Sequence, residues 1–369
     1  MTEEFFTHVV GARPQFIKLS PVVQAMSKQG LQSRIVHTGQ HYDHAMSRSF
    51  FDDLGIPLPD ENFEVGSGNH GEQTAKMLVA LEQEFLVHSP RMIIIYGDTN
   101  STLAAAIAGA KLNVPIAHVE AGIRANDIRM PEEINRIVAD RLSSLLFAPS
   151  QKASEQMLGE NIPAQNIAVV GDVMYDVAIR FGETARENSQ ILEKEGLQKK
   201  NYVLATIHRA ENTDDKERLK ALVDALSVVA KSVRVVLPVH PRTRAALKKF
   251  DMEALAEKSL KLIEPVGYLD MVQLTANARI VASDSGGVPK EAYFHNVRSV
   301  ILREDALWDE LIELDWAALA PPTSSNSVSD VIKYNLDAAP GQESYPYGKG
   351  DAAPKIAEAL ANWQLERKS

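Results

Sequence analysis

Residues 91–120, RMIIIYGDTNSTLAAAIAGAKLNVPIAHVE, read as a strand, a helix and a second strand in one run. Met92 to Tyr96 are apolar without a polar alternation, the pattern of a strand buried on both faces. The short polar residues after Asp98 follow, and Asn100, Ser101 or Thr102 is expected to cap the next helix. That helix, STLAAAIAGAKLN, is built from side chains small enough to pack closely on a sheet. VPIAHVE then returns as another strand. Apolar strands joined by crossover helices form a parallel, doubly wound sheet.

The same alternation extends in both directions. FFTHVVG, SRIVHTG and LLFAP are further strands, and QFIKLSPVVQAMSKQG sets Phe16, Leu19, Val23 and Met26 on one helical face. The pattern restarts with NYVLATIH, RVVLPVH, LKLIEPV, ARIVASDSGG and VRSVILR, separated by KERLKALVDALSVVAKS and PRTRAALKKFD. At 369 residues the chain suits two domains, each a Rossmann-like α/β unit. The expected boundaries are 1–175 and 176–352, with a long helical pattern at 173–196 carrying the chain across. The amphipathic tail, residues 353–369, is expected to cap one domain or cross back.

Composition narrows the function. A formal charge of −10 argues against broad nucleic-acid or membrane-surface binding, which needs a basic face. With no cysteine, thiolate catalysis, disulfides and cysteine metal sites are excluded. The N-terminus lacks a signal-peptide layout and no apolar run approaches a membrane span, so a cytoplasmic protein is expected.

In open parallel sheets, ligands bind beyond the carboxyl ends of the strands, so the residues following each strand are the place to look. After the first, GARPQFIK brackets a helix start with Arg13 and Lys18, an arrangement that suits a phosphate or carboxylate. After the second, HTGQHYDH offers His37, Gln40, His41 and His44. No carboxylate–histidine set completes a metal site there, and hydrogen-bonding groups at a cleft edge are the better reading. Asp98 and Glu120 end successive strands, and the charged segment EAGIRANDIRMPEEINR adds Glu132 and Glu133 beside Arg124, Arg129 and Arg136. Carboxylates crowded together repel, so raised pKa values suited to proton transfer are expected, with the arginines holding the remaining acids ionised.

In the second half, TIHRAENTDD presents His208, Arg209, Glu211 and Asn212, and PVHPRTR presents His240, Arg242 and Arg244. SDSGGVPKE places Ser285, Gly286 and Gly287 before a helix whose first turn includes Pro289. Backbone N–H groups there suit a phosphate; Glu291 either complements the helix dipole or accepts hydrogen bonds from a ribose diol. The sum is a nucleotide-diphosphate pocket in the second domain and an acid-rich wall in the first. A Walker-type phosphate loop, a G-x-G-x-x-G fingerprint and a serine nucleophile elbow are all missing, which disfavours ATP hydrolysis, dinucleotide redox chemistry and serine hydrolysis.

GARPQFIK, HTGQHYD, GDTNST, HVEAGIR, MPEEINR, TIHRAEN, PVHPRT and DSGG, in this order, resemble the non-hydrolysing UDP-N-acetylglucosamine 2-epimerases over nearly the whole chain. The resemblance implies the GT-B arrangement, with the active site in the cleft between two Rossmann-like domains, and a homodimer. It implies interconversion of UDP-N-acetylglucosamine and UDP-N-acetylmannosamine for surface polysaccharide precursors, with neither cofactor nor metal. UDP leaves carbon 1 as the carbon 2 proton is removed, giving a 2-acetamidoglucal, and then adds back. On the matching positions, Asp98, Glu120 and Glu132 serve proton transfer or sugar positioning, with His208 beside the diphosphate. Arg13, Lys18, Ser285, Gly286 and Gly287 bind phosphates, Glu291 the ribose, and Gln40, His240 and Arg303 complete the expected substrate contacts.

Two departures from the family pattern stand out. LREDALWDELI keeps Arg303 but carries Ala306 and Leu307 where a Thr-Glu pair is usual. Pro289 replaces a glutamine. The GARPQFIK and HRAENTDD variants look more like the branch acting on UDP-2,3-diacetamido-2,3-dideoxyglucuronate, whose extra carboxylate would call for Arg124, Arg129 or Arg242. A hydrolysing 2-epimerase, a GT-B glycosyltransferase and a non-catalytic UDP-sugar sensor are the rival readings.

Overall fold

Parallel pairing governs both sheets. The computed structural model describes residues 5–40, 51 and 55–366. In the first sheet, β1 (Phe6–Val10), β2 (Ser33–His37), β3 (Glu61–Asn62), β4 (Met92–Tyr96), β5 (Ile116–Val119), β6 (Leu145–Ala148) and β7 (Ile167–Val169) stand in the order 3-2-1-4-5-6-7. In the second, β8 (Tyr202–Thr206), β9 (Arg234–Pro238), β10 (Lys261–Ile263), β11 (Ile280–Ser283), β12 (Ser299–Ile301) and β13 (Ala317–Leu319) stand in the order 10-9-8-11-12-13. Every described strand pair is parallel. Both sheets therefore reverse winding direction once, between β1 and β4 and between β8 and β11. These reversals are the switch points where such sheets bind ligands.

The chain divides into two compact units, residues 1–177 with 345–369, and residues 178–344. The second unit thus ends at 344, where the sequence reading placed 352, because the tail from Tyr345 belongs with the first unit. Two Rossmann-like units in one chain are the composition of the GT-B class.

In the first unit the helices bearing on the site are α1 (Arg13–Lys28), α2 (His70–His88), α3 (Asn100–Lys111), α4 (Pro131–Leu142) and α5 (Gln151–Gly159). Val9, Val36, Ile93 and Ile95 of the sheet share one core with Met77, Leu81 and Phe85 of α2 and Ala104, Ala105 and Ala108 of α3. Each fully buried isoleucine of β4 contributes roughly 1.5–3 kcal/mol. The expected close approach of α3 is present: a Cβ on Gly109 would lie 2.6 Å from Ile93 Cδ1. The cap of α3 is Thr99, one residue earlier than expected, and its side chain accepts from the Thr102 N–H.

The helical pattern at 173–196 is not one helix. α6 (Val173–Asn188) stops at Ser189, whose hydroxyl donates to Asp270 Oδ1 at 2.5 Å, and a short turn of helix follows at Ile191–Lys194. The second unit also holds α7 (Lys216–Val229), α8 (Pro241–Lys249), α9 (Val288–Phe294) and α10 (Ser325–Leu336). α11 (Ala352–Glu366) packs on α1. Among the described residues no helix is long and apolar enough to cross a membrane.

Candidate active site

In the first unit the turn after β1 is fastened from inside. Gln15 accepts from the N–H of Gly11 (2.7 Å) and of Ala12 (3.2 Å), then donates to Tyr96 O and Thr102 Oγ1. One amide thus ties the start of α1 to the tip of β4 and to α3. Sequence reasoning passed over it, although a glutamine in the third helical position is half of a capping box. Arg13 opens α1, with Pro14 beside it, and is partly exposed.

Lys18, one turn further, reaches Glu120 with Nζ 2.6 Å from Oε1. Burial works against the Lys18 ammonium, but Glu120, then Asp98 and Asp172, outweigh it and raise its pKa above the ordinary lysine value. Gly97 lies beneath this pair: a Cβ there would stand 3.2 Å from Lys18 Nζ, and its φ is +59°. Glu120 itself has a φ of +70°, a left-handed conformation that costs a non-glycine residue roughly 1–2 kcal/mol. Such strain persists only where the surroundings over-determine it, and it concentrates at functional sites.

Asp98 pairs with Arg136 of α4, whose other terminal nitrogen bonds Glu133 at 2.9 Å. Glu133 also accepts from the N–H groups of Ala125 and Asn126, so it clamps the loop leading to α4. Asn135 donates to the Asp98 carbonyl oxygen. Glu132, in the first turn of α4, is exposed. The carboxylates do gather, since Asp98, Glu120 and Asp172 all act on Lys18, but cations are interleaved among them. Asp98 pairs with Arg136 and Glu120 with Lys18, so each carboxylate faces a cation.

Arg124 is not available to a ligand carboxylate. Its side chain is buried, with Nε and Nη2 on Glu160 (2.7 and 2.8 Å) and Nη1 on Asp140 (2.8 Å). Arg129 pairs with Asp127 on the exposed loop. Gln40 is buried, and its amide oxygen accepts from the N–H and hydroxyl of Ser101 at 2.9 and 2.7 Å, which makes it a tether for α3. His37 is buried beside Phe16, its pKa lowered by burial. His41 and His44 lie outside the described residues.

In the second unit the organiser is Asp284, at the tip of β11 and fully buried. It accepts from the N–H groups of His208 and Arg209 and from Asn212 Nδ2, and its Oδ1 lies 3.3 Å from His208 Nδ1. The loop after β8 is thereby pinned to the loop after β11, across the switch point. Burial is the largest influence on His208 and lowers its pKa; Asp284 opposes, while His240, Arg209 and Arg242 add to the lowering. His240 stands 5.7 Å from His208 ring to ring and caps α8 by accepting from the Arg242 N–H. Arg242 is exposed, 3.4 Å from Asp214.

The Gly-Gly turn leads into α9 as expected, with Pro289 in its second position. Gly287 caps the helix, its N–H donating to Ser285 Oγ at 3.3 Å, and Glu291 faces that turn. Gly286 lies close beneath two side-chain tips: a Cβ would meet Leu307 Cδ1 at 3.0 Å and Arg209 Nη2 at 3.4 Å. The departing Ala306–Leu307 loop is therefore packed on this turn. Trp308 holds it there, with Nε1 donating to Gly286 O at 2.7 Å and its ring under Lys290 Nζ at 3.5 Å. Arg303 turns to Asp305 at 2.8 Å.

A family model described as UDP-N-acetylglucosamine 2-epimerase matches residues 24–361. The chain belongs to that family. This epimerase is 45% identical over 361 residues to a UDP-N-acetylglucosamine 2-epimerase homolog of Methanococcus maripaludis, covering 96% of this chain and 98% of that one. It is 42% identical to the UDP-2,3-diacetamido-2,3-dideoxy-D-glucuronate 2-epimerase of Pseudomonas aeruginosa, with the same coverage. Its fold is similar to the crystal structure of the Methanocaldococcus jannaschii UDP-GlcNAc 2-epimerase in complex with UDP-GlcNAc and UDP. The TM-score is 0.88 and the identity 36%, over 97% of this chain and 99% of that one.

Proposed function

We propose that this epimerase interconverts UDP-N-acetylglucosamine and UDP-N-acetylmannosamine by eliminating UDP and adding it back. A carboxylate takes the carbon 2 proton as the carbon 1–oxygen bond breaks, leaving a double bond between carbons 1 and 2. UDP then attacks carbon 1 while a proton is delivered to the opposite face of carbon 2. The observation that carries this reading is the pair of carboxylates at the tips of β4 and β5, each set against its own cation. Base and acid catalysis of this kind contributes roughly 10²–10⁴ each.

In this reading the first unit does the proton chemistry through Asp98, Glu120 and Glu132, with Arg13 and Lys18 beside the departing phosphate. The second unit holds UDP through Ser285, Gly286 and Gly287, Glu291 takes the ribose, and His208 faces the diphosphate with His240 behind it. Fixed positive groups stabilise the leaving diphosphate without reorganising, usually the largest single contribution to such a reaction. Plain UDP-N-acetylglucosamine is preferred to the diacetamido uronate because all three arginines considered for the extra carboxylate already face an acid: Arg124 faces Glu160, Arg129 faces Asp127 and Arg242 faces Asp214.

The proposal extends to a cytoplasmic homodimer serving surface polysaccharide synthesis, as the sequence resemblance implies. Val79, Leu86 and Val87 of α2 and Ile134 and Ile137 of α4 are exposed apolar residues suited to a second copy. Product analysis tests the core reading. Incubation with UDP-N-acetylglucosamine should yield the UDP-linked epimer. Free N-acetylmannosamine would instead indicate hydrolysis, and turnover of the diacetamido uronate alone would reassign the substrate.

A further inference from the structure

His118, on β5 two residues before Glu120, is fully buried and meets two acceptors. Its Nε2 lies 2.8 Å from the carbonyl oxygen of Gly97, and its Nδ1 lies 2.7 Å from Asp140 Oδ1. A carbonyl oxygen can only accept, so Nε2 carries a proton. Asp140 is occupied as an anion elsewhere: its Oδ2 accepts from the Gly122 N–H at 3.0 Å and sits 2.8 Å from Arg124 Nη1. The Arg124 guanidinium and the Gly122 N–H, both on Oδ2, favour the carboxylate form of Asp140 over its acid. An ionised Asp140 requires a proton on Nδ1 as well.

We propose that His118 is a buried imidazolium which, paired with Asp140, positions the two carboxylates Asp98 and Glu120 at once. The proposal rests on the reading of those carboxylates as the proton-transfer groups. On one side the pair fixes the β4 turn: Gly97 gives its carbonyl to His118 and its N–H to Val119 O at 3.0 Å, so Asp98 leaves a turn held at both ends. On the other side Asp140 holds the N–H of Gly122, two residues beyond Glu120, and the Ala121 N–H donates to Phe147 O. Glu120 keeps its left-handed backbone because the two residues after it are pinned. Arg124 and Glu160 close the charge balance, making the set two cations and two anions. Buried charges persist when every member is paired and hydrogen-bonded, and breaking such a set is costly.

Neither His118 nor Asp140 is assigned a contact with the sugar, so both are positioning residues. Spectra of the ring nitrogens in the intact, histidine-labelled protein, assigned by loss of signal in His118→Gln, should show both His118 nitrogens bonded to hydrogen. A bare Nδ1 would overturn the proposal; this readout does not depend on activity, and should His118→Gln fail to fold, through-bond correlation of the labelled ring to its backbone in the unaltered protein assigns the signals. For His118→Gln and Asp140→Asn, kcat should fall about a hundredfold, as displaced reacting groups do, with KM within about threefold. The double variant should be little worse than either single one, since the pair acts as a unit. Variants that bind UDP normally and keep kcat within about threefold would also overturn it. Should the unaltered protein fail to exchange the carbon 2 proton, the epimerisation reading fails, while the nitrogen spectra still decide the charge of the pair.

Discussion

At the scale of single residues, three features hold and aim Glu120. Lys18 supplies the charge, Gly97 leaves space beneath the pair, and the left-handed backbone at Glu120 sets the direction. Glu120→Gln keeps the volume and removes the base. Carbon 2 exchange should fall by roughly 10²–10⁴, with UDP affinity unchanged by calorimetry. Equal losses in exchange and UDP affinity would contradict a role confined to the sugar. A second residue bears on stability. His8 is buried between Tyr96 Oη (2.8 Å) and Ser33 Oγ (3.1 Å), and burial lowers its pKa to about 3. The unfolded chain takes up a proton below about pH 6.5 while the folded one does not. Stability should therefore fall as pH drops from about 6.5 towards 3, by about 1.4 kcal/mol per unit. In His8→Gln that part of the acid sensitivity should disappear from urea melts.

At the scale of elements, α11 is held at its start by Asp176 of α6, whose two oxygens accept from the N–H groups of Ala352 (3.1 Å) and Ala353 (3.0 Å). Burial raises the Asp176 carboxyl to about 6, and the two backbone bonds only partly oppose it. Here the folded state binds the proton more tightly than the unfolded one. The contribution is therefore fully present below about pH 3.8 and is lost as pH rises through about 6, a swing of about 3 kcal/mol. The stability difference between the natural protein and Asp176→Asn should drift across that window and stay flat above it. The elements also show what was legible. The strands with unbroken apolar runs, and α3 with its small residues, stood out because burial on both faces leaves no ambiguity of period. α2 did not, since its buried apolar residues are few and Val79, Leu86 and Val87 face outwards. The strands β3, β7 and β13 are two or three residues long at sheet edges, too short for any periodicity. The break at Ser189 carries a local bond from the Ile191 N–H and a distant one to Asp270, and the distant one cannot be read from the local pattern.

At the scale of the whole molecule, each sheet reverses its winding once, and the residues expected to do chemistry flank those reversals. Asp98 and Glu120 follow strands near the first; His208 and the Ser285–Gly287 turn follow strands at the second. That placement was legible because strand ends can be read from apolar runs. The pairing of charges was not, because Lys18 and Glu120 are 102 residues apart and Asp98 and Arg136 are 38 apart. Which cation sits against which acid is therefore seen only in the fold, where Gln40 and Arg124 are also engaged. Asp284 went unremarked although it stands in the SDSGG turn, since only the folded loop shows how many N–H groups converge on it. The central claim is that the carboxylates of the first unit exchange the proton on carbon 2. Proton NMR of UDP-N-acetylglucosamine with the purified protein in deuterated water tests it directly. The account predicts that the carbon 2 proton signal disappears as UDP-N-acetylmannosamine grows in. Epimer formation with that proton retained, or a substrate left unchanged by active protein that binds UDP, would contradict it.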